Sequence, residues 1–418
     1  MCFIPAYIVI LATTISITYC AGLLMEKYKG CVRTVLLSIG ILSICIILLV
    51  FKYYNFIIDD LRIVCAFLGL AYTLNNLSIL LPIGLSFHTF QSLSYVIDVY
   101  RGRQKAENHF GIYSLYVMFY PQLVAGPIER PQNMLHQFYE EHSFDHTRVC
   151  SGLKLMFWGF FKKLVIADRL SIYVDMVYNN HALYNGVPLL MATIFFSFQI
   201  YCDFSGYSDI ARGSARVLGF DLMVNFRRPY FASSIREFWT RWHISLSTWF
   251  RDYVYFPLGG NRVSKMRWCF NILVVFAISG IWHGANWTFV IWGFLHGVFL
   301  IAYDLLAQAN HSMPLRVRGK IPRALGCICT FCLVSFLWIF FRSDSIGQAV
   351  SIISKITSIS SLTYAGPPLS QAFYGLLAIS MLIIIECDIE FFGNRGLISI
   401  NHNAHVRTLA YCTAVLSG

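Results

Sequence analysis

Charge is what this sequence has least of. Only 13 % of its 418 residues are Asp, Glu, Lys or Arg, where a soluble domain carries about a quarter. It also lacks the short motifs of several enzyme classes. There is no phosphate-binding GxxxxGK[ST] loop, no HExxH, no GxSxG and no dinucleotide fingerprint, so ATPase, zinc protease, serine hydrolase and oxidoreductase readings have no motif behind them. No internal repeat, low-complexity tract or linker rich in Gly, Ser or Pro divides the chain, and a single domain over 1–418 is the simplest organisation. Cys329 and Cys332 make a CxxC, but no second pair or nearby histidine completes a zinc set. Most of the cysteines lie in apolar runs and read as small hydrophobes, so no metal site is expected.

What is present is apolar length. Hydrophobic types make up 57 % of the chain and the mean hydropathy is +0.60. Apolar runs fall near 3–24, 34–58, 61–81, 82–99, 111–125, 150–167, 187–202, 269–285, 286–307, 324–341 and 372–387. A spanning helix needs about 20 such residues. The sequence therefore predicts an all-α polytopic membrane protein with about 9–11 transmembrane or re-entrant helices. The first run has no basic segment before it and is too long for a signal peptide, so it reads as a retained helix. Lys27, Lys29 and Arg33 after it, and Arg316, Arg318, Lys320 and Arg323 in 310–323, read as cytoplasmic loops.

The net charge of +11 would point to nucleic acid in a soluble protein. Region 203–268 sharpens the question, because it holds ten Lys or Arg residues interleaved with aromatics such as Trp239, Trp242, Trp249 and Tyr253. In a membrane protein that mixture belongs at the lipid interface, or folded back to line a cavity. Lipids, not nucleic acid, are the expected partner of these charges.

Polar groups inside a span are costly and mark function or pairing. Two histidines pass that filter. His283 lies in FAISGIWHGANWTFVIW (Phe276–Trp292), where a continuous helix would put Asn286 and Trp287 on its face. Gly280, Gly284 and Ala285 beside it allow close helix approach. His243 lies in FWTRWHISLSTWF (Phe238–Phe250), where a helix would align Trp239, His243 and Ser247. The alternatives are a buried histidine satisfied by a backbone carbonyl and an interfacial histidine among aromatic anchors. His88 and His296 have no carboxylate or metal partner nearby in sequence and read as structural. Asp203 and Asp209 are spaced by six residues, which does not place them on one helical face. What remains is a membrane histidine able to act as a base near neutral pH.

A series of segments then resembles a known family in order. They are FKYYNF (51–56), LPIGLSF (81–87), Phe90-Gln91-Ser92, YVIDVYRG (95–102) and FYPQLVAGPIER (119–130). There follow YCDFSGYSDIARGSARVLGF, NFRRPY and REFWTRWHISLSTWFRDYVYFPLGGNR within 199–262, then SGIWHGANW (279–287) and WGFLHG (292–297). Together they resemble the membrane-bound O-acyltransferase family, in its alginate O-acetyltransferase branch, most specifically over residues 50–300.

The resemblance implies a helical bundle around a central tunnel or funnel. It implies His283 as the active-site histidine and His243 as a second histidine of the reaction. Asn286, Trp239, Arg241 and Trp282 become supporting or donor-binding residues, with Arg241 and its basic neighbours drawing the phosphates of a CoA-type donor. It implies no bound cofactor. Acetyl-CoA or another acyl thioester would be the donor substrate, and a polysaccharide the acceptor. A periplasmic or membrane-anchored acetyltransferase would be a partner, and the location a bacterial cytoplasmic (inner) membrane. Relatives carry further helices beyond both ends of 1–418, so N- and C-terminal helices are expected to be missing here. D-alanyl transfer to teichoic acid by a related protein is the alternative within the family; a non-catalytic transporter or scaffold is the alternative outside it.

Overall fold

The computed structural model describes residues 7–79, 82, 84–309, 320–357, 364 and 366–392. Leu81, Ile83, Arg316, Arg318 and the apolar stretch Tyr411–Gly418 lie outside the described residues. Among those described there is no strand, and the chain separates into two compact units.

The first unit comprises 1–149 with 215–223. It holds α1 (Tyr7–Lys27), α2 (Cys31–Leu48), α3 (Tyr54–Phe67), α4 (Leu85–Tyr100), α5 (Phe110–Met118) and α6 (Pro131–Met134). In lipid there is no hydrophobic drive between helices, so close packing of small residues holds them together. A Cβ on Gly22 of α1 would lie 2.7 Å from the Tyr95 ring, and one on Gly40 of α2 would lie 2.9 Å from Val96. Both contacts are with α4, which is almost wholly buried. The outer face of α2 (Val35, Ile39, Leu42, Ile46) is exposed, as a lipid-facing surface requires.

The second unit comprises 150–214 with 224–418. Its helices are α7 (His146–Phe160, entered at Cys150), α8 (Asp168–Asn179), α9 (Val187–Leu218), α10 (Ile235–Arg241), α11 (Ile244–Phe250), α12 (Lys265–His283), α13 (Trp287–Ala309), α14 (Lys320–Arg342), α15 (Ile346–Thr357) and α16 (Leu369–Phe391). Its core is aromatic, with Tyr173, Phe195, Phe238, Trp292 and Trp338 fully buried. Among the described residues, π-helical turns occur at Leu49–Tyr53, Phe161–Ala167 and Arg251–Tyr255.

Among the described residues, seven helices are long and apolar enough to cross a membrane: Tyr7–Lys27, Cys31–Phe67, Val187–Leu218, Lys265–His283, Trp287–Gln308, Pro322–Arg342 and Leu369–Phe391. The runs expected at 34–58 and 61–81 are not two spans. They join into one 37-residue helix carried through the π turn, and residues 70–79 are non-helical. The runs at 82–99, 111–125 and 150–167 become shorter or more polar helices, of which α5 has only 9 residues.

Candidate active site

α12 and α13 form a tight antiparallel hairpin. A Cβ on Gly280 would come within 2.3 Å of the Phe289 carbonyl oxygen, and one on Gly293 within 2.2 Å of that of Phe276. Of the small residues singled out in the sequence, Gly280 brings the two backbones together, with Gly293 of α13 doing the same from the other side, whereas a Cβ on Gly284 would meet the Phe289 ring. The hairpin turns at His283. Gly284 is extended (φ −162°, ψ 149°) and ends α12. Asn286 then accepts the Thr288 N–H at 3.0 Å through Oδ1 and caps the start of α13. This corrects the expectation of one helix through 276–292, so Asn286 and Trp287 do not follow His283 on a shared helical face. The Asn286 amide donates to the Asp344 carbonyl at 2.9 Å, which commits this side chain to the turn.

His283 is partly buried among rings. Its centroid lies 4.8 Å from Trp282, 5.0 Å from Trp292 and 5.3 Å from Phe341. It is within electrostatic reach of both His243 and His296.

His243 sits between α10 and α11 with φ 41°, a left-handed conformation costly for a residue with a side chain. The helix expected through 238–250 is broken there, so His243 leaves the face shared by Trp239 and Ser247. Asn225 holds the strained turn in place. Its Oδ1 accepts the Ser245 N–H at 3.1 Å and the Ser245 hydroxyl at 2.8 Å, and it faces His243 Nδ1 at 3.3 Å. The backbone carbonyl of Asn225 accepts the Ile244 N–H at 2.9 Å. A backbone N–H can only donate, so the Asn225 atom it meets is oxygen, and a hydrogen bond from His243 to that oxygen places the proton on Nδ1. The lone pair is left on Nε2, which is buried without a partner. Asn225 opens the NFRRPY segment, but its role at a histidine 18 residues further on is visible only in the fold.

A cavity of about 420 Å³ lies beside the hairpin, lined along α12 by Trp268, Ile272, Val275, Phe276 and Ser279. These positions form one helical face, and His283 is its next member, four residues or about 6 Å past Ser279. His283 itself is not part of the cavity wall. α10 and α11 contribute Arg236, Trp239, Ser247 and Phe250, and Arg251 and Asp304 complete a polar side. Arg236 and Asp304 pair through both forks, at 2.8 and 2.5 Å.

The remaining sequence candidates separate. Trp239 lines the cavity, with its indole nitrogen buried and unpartnered. Trp282 is buried, with its ring centroid 4.8 Å from that of His283 and 6.3 Å from that of His243. Arg241 is not on the cavity wall. Its guanidinium is taken up by Glu237 at 2.7 Å and Glu390 at 3.0 Å, so the basic groups at the cavity are Arg236 and Arg251. Asp203 pairs with Lys163 at 2.5 Å, and Asp209 pairs with Lys162 at 2.7 Å, which agrees with two separate carboxylates. His88 is buried in α4 of the first unit.

Spans of this length and a helix-bounded cavity beside a membrane histidine define a multi-pass integral membrane protein. The pattern of the membrane-bound O-acyltransferase family matches residues 109–342. A probable alginate O-acetylase, AlgI, of Azotobacter vinelandii is 36 % identical over 361 residues, covering 86 % of this chain and 70 % of that protein. A peptidoglycan O-acetyltransferase of Helicobacter pylori is 31 % identical over 384 residues, covering 85 % and 71 %. A teichoic acid D-alanyltransferase of Streptococcus thermophilus is 27 % identical over 297 residues, covering 64 % and 70 %. The chain belongs to the membrane-bound O-acyltransferase family, and it is an acyltransferase.

Proposed function

We propose that this acyltransferase takes an acetyl group from a cytoplasmic thioester and passes it on for O-acetylation of an exported polysaccharide, with His283 as general base. The observation that carries this reading is the alignment of the cavity with His283 along one face of α12. From Trp268 to Ser279 the cavity follows that face for about 16 Å. It starts near the basic segment Arg262–Arg267, which the positive-inside rule favours on the cytoplasmic side.

The bond exchange is simple. The acceptor hydroxyl gives its proton to the His283 imidazole while its oxygen attacks the thioester carbonyl. The tetrahedral adduct collapses with loss of the C–S bond, and the leaving thiolate takes the proton back from the imidazolium. A positioned base is worth about 10²–10⁴ in rate. His243 presents a fixed Nε2 lone pair, suited to accepting a hydrogen bond from the acceptor. Arg236 and Arg251, with side chains 62 % and 54 % exposed, are the cations at the cavity, and donor phosphates would compete there with Asp304 and Asp252, which pair with them. A bacterial inner membrane and a periplasmic acetyltransferase partner belong to the same reading. D-alanyl transfer from a carrier protein would use the same exchange; the higher identity to the O-acetylating relatives favours acetyl.

The test is acetyl content of exported polysaccharide in a deletion strain complemented with wild type or His283→Ala at equal membrane levels. Loss of acetate only with the variant is the expected result. Acetylation retained by the variant would move the weight to transport or scaffolding.

A further inference from the structure

His296 is fully buried on α13 (0 % exposed), and neither of its ring nitrogens has a hydrogen-bond partner. The indole nitrogens of Trp239 and Trp292 are also buried and unpartnered. These three rings adjoin one another. Trp239 and Trp292 each lie 4.9 Å from His296 between centroids, and 6.1 Å from each other. The Phe238 and Phe276 rings lie nearly parallel to the imidazole, both at 6.3 Å. Trp239 and Phe276 also belong to the cavity wall, so this box adjoins the cavity. Trp292 faces the other way as well, 5.0 Å from His283.

The unmet groups have a definite chemistry. A neutral imidazole offers one N–H and one lone pair, and an indole offers only an N–H. The box therefore holds three donors and a single acceptor. Inside a span, where bulk water is absent, polar groups left like this are expensive. A carbonyl would satisfy donors but leave the imidazole lone pair bare. A cation would do the reverse. A hydroxyl oxygen accepts from the two indole N–H groups and donates its own hydrogen to the imidazole lone pair, so it meets three of the four groups, the acceptor among them, where a carbonyl or a cation leaves one kind wholly unmet.

We propose that His296, Trp239 and Trp292 form a hydroxyl-binding box beside the cavity, whose occupant is an O–H group: a resident water or a hydroxyl of the acyl acceptor. The acceptor as occupant rests on the acyl-transfer reading above; a water does not.

The experiment uses purified full-length protein in nanodiscs, with His296→Phe, His296→Asn and Trp292→Phe. Melting is followed without substrate, and acetyl transfer to an oligosaccharide acceptor is measured alongside. An occupied box predicts a lower melting temperature for His296→Phe than for wild type, with His296→Asn, which keeps a donor and an acceptor, restoring most of it. If the acceptor is the occupant, its KM rises at least tenfold in His296→Phe with a smaller change in kcat. If water is the occupant, melting falls while the acceptor KM holds. Should His296→Phe fail to fold, Trp292→Phe, which removes one N–H and little volume, must lower melting in the same sense. The proposal is overturned if His296→Phe melts at or above wild type with unchanged kinetics, or if Phe and Asn destabilise equally, since both results describe a dry packing residue. If wild type transfers no acetyl at all, the acyl-transfer reading fails while the melting comparison still decides the box.

Discussion

Two turns in the second unit each carry a histidine, and they are built by opposite means. At His243 the backbone is left-handed and polar groups fix it, through Asn225 and the Ser245 N–H and hydroxyl. At His283 the histidine ends a regular helix, and three aromatic rings surround it while Asn286 caps the helix that follows. The polar turn dictates which imidazole nitrogen holds the proton. The aromatic turn fixes where the ring lies, through Trp282, Trp292 and Phe341. A base must exchange its proton during each cycle, whereas a hydrogen-bonding group works best with its proton locked. The proposed roles, proton transfer at His283 and orientation at His243, are what variants at the two turns can separate.

The largest expected effect breaks the comparison at its aromatic side. His283→Ala and His283→Gln should both lower acetyl transfer at least about 100-fold at equal membrane levels. Retained activity in His283→Gln would make this residue a hydrogen-bonding group like His243.

Next come the glycines that let the hairpin close. Gly293→Val places a side chain where even a Cβ would be 2.2 Å from a carbonyl oxygen. Overpacking of this kind costs about 1–3 kcal/mol or more, read as a lower melting temperature and poorer membrane yield. Gly30, whose Cβ would meet nothing within 4 Å but whose φ is +64°, offers a contrast in which strain comes from backbone conformation alone.

Asn225→Ala sharpens the polar side. It leaves the Ser245 N–H and His243 Nδ1 without their acceptor, a loss of about 1–3 kcal/mol. Asn225→Asp keeps an oxygen in that place and should retain more activity, measured as kcat in the same transfer assay. The smallest effect is expected for Asn286→Ala, where loss of a helix cap costs about 1 kcal/mol. Melting should fall slightly while kcat stays within a fewfold of wild type. A 100-fold loss of kcat there would restore Asn286 to the chemistry that the sequence suggested for it.

The parts legible in the sequence were those that composition and local pattern encode. Apolar length announces the spans, and a histidine among Gly, Ala and Trp announces His283. The breaks were not legible, because they depend on partners far along the chain. The turn at His243 is held by Asn225, and helical periodicity through 238–250 runs straight over it. Arg241 reads as a loose cation until Glu390, 149 residues away, takes it up. The runs at 34–58 and 61–81 read as two spans because Lys52, Asp59 and Asp60 dilute the apolar pattern where the helix in fact continues through its π turn. His296 reads as structural for want of a sequence neighbour, and its unmet nitrogens are visible only once Trp239 and Trp292 are packed around it.

The central claim is that the cavity delivers substrate to His283 along the α12 face. Ser279 is its last wall residue before that histidine, so the direct measurement is acetyl-transfer rate against side-chain size at this position. Ser279→Ala should keep the wild-type rate, Ser279→Leu should reduce it, and Ser279→Trp should abolish transfer while each variant reaches the membrane and melts near wild type. An equal rate across the three, in proteins that fold equally well, would contradict the account and separate the cavity from the chemistry.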